Sequence, residues 1–253
     1  MKPLLKIALA IILALLCVAL CSKSVAQEAE DPEGQKLLER LDNARYPDAY
    51  EMTISMLTVR PGRDDLKYEY DIIGVGTDKS LMTVTAPARE RDQQILLNGD
   101  NLWLFVPDVS RPVKLTRKQS FMGSTFSNED VMNSTLADDY TAKVLTREIR
   151  DGKPYYKVEL TAKNRSVAYA KMTAGIDSIT AIPDTIVYYG LSGKALKEMV
   201  STDTKMLAGM LRPSRMVMYD FLEEGAWTEV LINTLKEKED IPESVFNPTR
   251  MGK

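Results

Sequence analysis

The 253-residue chain contains no histidine, and its two cysteines, Cys17 and Cys21, both lie near its start. Without imidazole there is no Ser-His-Asp or Cys-His nucleophile pair, no haem ligation by histidine and no imidazole zinc site. If the start of the chain is removed, thiolate ligands and disulfides go with it. An enzyme built from the remainder would have to work with carboxylates, Lys, Tyr or Ser. Aromatic residues are sparse at 7%, and the only long apolar run is Ile7 to Cys21. What is present, 27% charged and 44% hydrophobic residues, is the composition of an ordinary globular protein rather than a disordered or fibrous one.

The apolar run is too short to span a bilayer comfortably, since a spanning helix needs roughly 20 apolar residues. Lys2 and Lys6 precede or flank it, and small residues Ser24 and Ala26 sit at the −3 and −1 positions of a cut before Gln27. This is the pattern of a cleaved signal peptide over residues 1–26. The alternative is an uncleaved N-terminal anchor. Leu20 precedes Cys21 and Leu16 precedes Cys17, where lipidation favours a small residue, so a lipid anchor is not favoured. Cleavage takes Lys2, Lys6 and Lys23 from the 33 basic residues and none of the 36 acids, leaving 30 against 36, a net charge of −6. A mildly acidic chain lacks the clustered Lys and Arg that phosphate contacts need, so no nucleic-acid partner is expected. The mature chain, 27–253, is long enough to bury a core, as a single large all-β domain or as two smaller ones.

One helix is signalled first. Asp31 can cap, Pro32 suits the first helical turn, and Leu37, Leu38 and Leu41 follow at helical spacing, predicting a helix over 32–45. From Tyr50 the period changes to 2. Tyr50, Met52, Ile54 and Met56 alternate with polar residues, as do Leu66, Tyr68, Tyr70 and Ile72, and Tyr156, Val158 and Leu160. Such alternation marks half-buried antiparallel strands. Further strands are predicted near 79–86, 92–97, 101–107, 112–117, 140–150, 168–173, 183–190, 194–201, 212–222 and 226–235. Asn98-Gly99-Asp100, Asp151-Gly152, Ser192-Gly193 and Glu224-Gly225 punctuate them as turns. The stretch Phe121 to Phe126 breaks the alternation, and Ser127 with Asp130 predicts a capped helix over 128–135. Ile241 to Phe246 closes the chain as a capped turn. Many strands with few helices predict a mainly β fold, one strongly curved antiparallel sheet whose open face the helices must cover.

No dinucleotide, P-loop, nucleophile-elbow or zincin motif occurs. Asp177 with Asp184, or Asp138 with Asp139, could be imagined as a glycosidase carboxylate pair, but solvated turn acids explain them better. The cluster Arg111, Lys114, Arg117 and Lys118 reads first as an exposed strand face, and otherwise as a contact for an anionic membrane or an acidic partner. Twelve of the 13 methionines follow the leader. Met52 and Met56 share a strand face, as do Met216 and Met218. Flexible, polarisable Met suits plain core packing and also a wall that must accept varied acyl chains.

The stretch from Pro87 to Asp130 resembles the LolA-like outer-membrane lipoprotein-sorting family, in the branch described from a spirochaetal domain of unknown function. The resemblance rests on Leu96, Leu102-Trp103-Leu104-Phe105-Val106-Pro107, Arg111, and Phe121-Met122-Gly123-Ser124-Thr125-Phe126-Ser127 with Asp130. Downstream, Asp139-Tyr140, Tyr155 to Leu160, Pro183 to Tyr189, Gly193 to Lys197 and Ile241-Pro242 with Phe246 fall in the family's order. Asp92 stands where the family often has Gly, and Gly175-Ile176-Asp177 where a Trp-containing strand end is common. The resemblance implies an incomplete antiparallel β-barrel of about eleven strands, with short helices as a lid over an apolar cavity. It implies a periplasmic chaperone-like carrier that binds lipoprotein or lipid acyl chains and moves them toward the outer membrane. The implied partners are an inner-membrane exporter, RND-type in some relatives, and an outer-membrane acceptor; the carrier itself is a monomer.

No catalytic residue, cofactor or metal is expected. The cavity lining is expected from Met52, Ile54, Met56, Tyr68, Tyr70, Ile72, Met82, Val84, Met216 and Met218. Phe121, Met122 and Phe126, apolar residues in an irregular stretch, are expected at a lid or rim, or in a plug that seals the core. The competing reading is a non-catalytic accessory subunit of an exporter, or an adhesin, with a packed interior. An apolar cavity favours the carrier and a filled core favours the competitor.

Overall fold

The computed structural model describes residues 31–109, 111–131 and 135–253. The leader expected over residues 1–26, with its expected cleavage site, lies outside these residues. Helix α1 (Pro32–Arg45) opens the described chain, and β1 (Ala49–Val59), β2 (Leu66–Val75), β3 (Lys79–Ala86), β4 (Gln94–Asn98), β5 (Asn101–Phe105) and β6 (Val113–Leu115) follow. Two single-turn helices, α2 (Asn128–Val131) and α3 (Leu136–Asp139), precede β7 (Tyr140–Arg150), β8 (Lys153–Ala162) and β9 (Lys171–Asp177). The chain continues through β10 (Pro183–Tyr189), β11 (Ala195–Leu207), β12 (Met210–Asp220) and β13 (Trp227–Glu237).

All strands join one antiparallel sheet in the order β6-β5-β4-β3-β2-β1-β13-β12-β11-β10-β9-β8-β7. Two meanders, β1 to β6 and β7 to β13, are therefore stitched together by the β1–β13 pair, in which Met56 faces Val230 and Tyr50 faces Glu237. Strands β6 and β7 are the two edges, so the sheet does not close, and the architecture is an incomplete barrel. The resemblance implies about eleven strands and the sheet has thirteen; each overlaps a stretch predicted as a strand from the sequence. A register shift between Thr53 and Ile54 on β1, and others on β2, β8-facing β7 and β10, are the irregularities that bend such a sheet.

One face of the sheet is nearly continuous apolar surface: Tyr50, Met52, Ile54 and Met56 of β1 join Tyr70 and Ile72 of β2, Met82 and Val84 of β3, Val158 and Leu160 of β8, and Met172, Ala174 and Ile176 of β9. Helix α1 lies on this face through Leu37, Leu38 and Leu41. Asp31 caps it, its Oδ1 accepting from the Glu33 and Gly34 amides at 3.1 and 3.2 Å and its Oδ2 from the Val144 amide of β7 at 2.8 Å. The helix approaches β7 so closely at Gly34 that a Cβ there would meet the Ala142 carbonyl oxygen at 2.9 Å. The other face carries a smaller cluster, in which Ile241, Phe246 and Met251 of the C-terminal segment cover Leu96 and Trp103. Asp151 and Gly152, with φ of 50° and 76°, make the tight β7–β8 turn. Asp92 adopts φ 66°, the conformation for which glycine is suited, at the position where the family often has glycine.

Candidate lipid-binding cavity

From edge strand β6 the described residues 116–131 run back over the inner face of the sheet. Phe121 and Phe126 are 2% and 7% exposed. Between them Thr125 ties the segment to the middle of the sheet: its amide donates to Thr228 Oγ1 of β13 at 3.0 Å and its hydroxyl to the Met218 carbonyl of β12 at 3.1 Å. The Phe121 ring packs against Tyr70 at 6.1 Å between centroids. Segment 121–126 is thus a buried plug over β2, β12 and β13. Ser127 and Asp130 form the expected cap of α2, with Asp130 Oδ2 accepting from the Ser127 amide and hydroxyl at 2.6 and 2.8 Å.

Plug, α1 and sheet leave a cavity of about 240 Å³ that side chains do not fill. Its walls come from the sheet, from Leu41, Ala44, Arg45 and Tyr46 around the end of α1, and from Phe121 and Phe126 of the plug. Of the residues expected to line it, Met52, Ile54, Met56, Ile72, Met82 and Met216 do so. Tyr68, Tyr70, Val84 and Met218 point to the same face and are buried in the same core, but they do not reach the cavity wall. Tyr70 is covered by Phe121, Met218 lies under Thr125, and Tyr68 donates to Glu90 Oε2 at 2.5 Å. Met122, within the plug, is half-buried at φ 47° and lies off the cavity wall. The alternation did not single out Met172, Ile186, Tyr188 and Met199 of β9 to β11, which complete the far wall. The further methionines there were a usable signal: Met172 and Met199 line the same cavity as Met52 and Met56.

The polar groups of the cavity are mostly spoken for. Glu129 accepts from the Ala168 amide at 2.6 Å and from Tyr140 at 3.2 Å, and faces Arg117 at 3.2 Å. Burial pushes its carboxyl above the usual range, against the pull of Arg117. Arg117 also pairs with Asp139; burial lowers its guanidinium, but the two carboxylates more than offset this and the net shift is upward. Tyr169 donates to Asp130 at 2.7 Å. Arg117, expected on an exposed strand face, is therefore a half-buried tie, whereas Arg111 and Lys114 are exposed. The acids considered as a catalytic pair have structural duties. Asp177 caps the turn at Ile179 and Thr180, and Asp184 accepts from Tyr155 at 2.5 Å. Among the described residues no group of acids is arranged to hold a metal ion, and no helix is long and apolar enough to cross a membrane.

A family model described only as "Uncharacterized protein" matches residues 76–253. No curated protein matches the sequence. Among solved structures, a LolA superfamily protein from Nitrosomonas europaea is 31% identical, covers 85% of this chain and 97% of its own, and superposes with a TM-score of 0.75. A DUF1329 family protein from Desulfovibrio piger is 21% identical over 86% of this chain and 97% of its own, with a TM-score of 0.78. A domain from Vibrio parahaemolyticus described as an outer membrane lipoprotein-sorting protein is 19% identical over 87% of this chain and 98% of its own, with a TM-score of 0.77. These last two share the fold. With an unclosed antiparallel sheet, a helix over its apolar face and an identity of 31% across nearly the whole of the Nitrosomonas protein, the chain belongs to the LolA superfamily.

Proposed function

We propose that this protein is a periplasmic carrier that takes the acyl chain of a lipoprotein or lipid into its cavity and moves it toward the outer membrane. Residues 1–26 would direct export and 27–253 would form the single carrier domain, acting without catalysis. One observation carries the reading: the inner face, apolar along most of its strands, is held off from its cover by an unfilled apolar cavity of about 240 Å³. Natural cores are packed close to crystalline density, so space of this size is a feature of use rather than of stability. It exceeds the roughly 150 Å³ of an engineered apolar hole that binds benzene and falls just below the roughly 300–1,000 Å³ of drug-sized sites. That volume suits part of one acyl chain, and a larger cargo requires α1 or the plug to move.

The energetics suit a carrier. Each buried methylene contributes about 0.8 kcal/mol, so about ten give on the order of 8 kcal/mol before ordering costs, a dissociation constant near 1 µM. Binding of that strength protects the chain from water and still releases it. The fold shared with lipoprotein-sorting structures supports the same reading. The accessory-subunit or adhesin reading, with a filled interior, has no use for the cavity.

The test is native mass spectrometry and lipid extraction of protein purified from the periplasm, together with titration by a fluorescent fatty acid. Co-purified lipid or saturable uptake is expected. Protein free of lipid that also takes up no probe would overturn the carrier reading.

A further inference from the structure

The charged groups at the cavity differ in how they are balanced. Glu129 and Asp130 each have charged or hydroxyl donors. Arg212 of β12 does not have the corresponding acid. It is 5% exposed and lines the cavity. Its Nε donates to the Arg45 carbonyl at the end of α1 at 3.3 Å, and its Nη1 to the carbonyls of Leu207 and Ala208. Its Nη2 meets Met210 Sδ at 3.5 Å. Among the described residues no carboxylate lies within ion-pair distance of it. Glu237 and Tyr46 act on it from further away, and burial holds the guanidinium below its usual range.

A buried cation with only neutral partners is expensive unless something repays it. Three carbonyls position Nε and Nη1, while Nη2 is left with a thioether, the weakest of acceptors. The planar fork of an arginine matches a carboxylate or phosphate. Around it the wall changes character: Pro213 and Met216 follow on β12, and Ser201, register partner of Met216 on β11, adds a hydroxyl to the same wall. Beyond them the lining is the apolar surface of β1, at Met52, Ile54 and Met56.

We propose that Arg212 receives the anionic head of the cargo, so that the protein selects acidic lipids, headed by carboxylate or phosphate, over neutral ones of the same chain. The proposal rests on the carrier reading and adds the chemistry of the cargo to it. Arg212 also supports the end of α1, so the test must separate head recognition from support of the fold.

Binding of hexadecanoic acid, hexadecyl phosphate and hexadecanol to the intact protein is compared at neutral pH, below their aggregation limits. Wild type is expected to bind one or both acidic ligands at least about tenfold more tightly than the alcohol, the effect of a charge-assisted hydrogen bond. The stronger of the two acids identifies the head. Arg212→Gln should lose the preference while affinity for the alcohol changes little, and Arg212→Lys should keep part of it. A merely structural role would lower all three affinities together and leave their ratio unmoved. Equal binding of acid and alcohol by wild type overturns the proposal, and does so even if the variants fail to fold. Preference retained in Arg212→Gln overturns it as well. Binding of none of the three ligands sinks the carrier reading and this proposal together.

Discussion

Gly175 on β9 lies against the Tyr155 side chain, and a Cβ added there would stand 1.7 Å from the tyrosine oxygen. Tyr155 is not free to yield: its hydroxyl donates to Asp184 at 2.5 Å and the Arg150 guanidinium stacks 3.5 Å from its ring centre. Gly175→Ala should therefore cost about 1–3 kcal/mol, measured by urea denaturation at unchanged slope. A loss under about 0.5 kcal/mol would show that the tyrosine can move aside. Two aspartates at the ends of α1 should respond to pH with opposite signs. Burial raises Asp42, despite the Arg45 charge and the amides of Ala137 and Leu136 that it accepts. Its folded form favours the proton, so its contribution is full below the ordinary 3.8 and is lost as pH rises through the higher folded value. Asp31 is lowered, first by the Val144 amide and then by the Gly34 amide. Its contribution is full above 3.8 and is lost as pH falls through the lower folded value. Measured against Asp42→Asn, wild type should lose relative stability as pH rises above the ordinary 3.8; measured against Asp31→Asn, it should lose its advantage only below the ordinary 3.8. The same trend for both variants would refute the assignment.

Helix α1 is the element that covers the cavity, and its attachments are few and specific. Arg40 donates to the carbonyls of Ser178 and Ile179 at 2.8 and 2.6 Å, and Asp42 accepts from Leu136 and Ala137 at 3.1 and 2.8 Å. Strand β1, by contrast, is paired along its length on both sides. Hydrogen exchange should therefore open α1 at a lower free energy than β1, and Arg40→Ala should speed exchange in α1 while leaving β1 unchanged. Exchange of α1 only by global unfolding would exclude it as a lid. The elements were legible in the sequence to an unequal degree. Helix 32–45 could be read because its cap, first-turn proline and leucine spacing agree, and the strands because alternation needs only local order. Segment 121–126 could be recognised as irregular and as a lid, a rim or a plug, but nothing local chooses among these. Its position depends on Thr125 meeting Thr228, more than a hundred residues away in the chain.

For the molecule as a whole, cavity and core make separable demands. Ile54 of β1 lines the cavity, and Leu38 of α1 is buried away from it. Ile54→Trp should fill the space and abolish uptake of a fluorescent fatty acid at a stability cost of about 1–3 kcal/mol or less. Leu38→Ala should cost about 2–5 kcal/mol and leave uptake by the folded fraction unchanged. Uptake retained by Ile54→Trp would place the cargo elsewhere.

Fold class and available chemistry both follow from the order of the residues alone. Period-2 alternation assigns each strand residue to one of two faces, and a chain without histidine is closed to imidazole chemistry. Alternation is silent about depth along a strand. Met52, Ile54 and Met56 reach the cavity, whereas Tyr70 and Met218, on the same inner face, are sealed under Phe121 and Thr125. That difference arises only on folding, because the plug returns to the sheet through contacts distant in sequence. Folding also decided the place of Arg212. An alternating strand offers no reason to expect a cation among its inward residues, and folding sets it at the cavity wall with carbonyls for partners and no acid beside it.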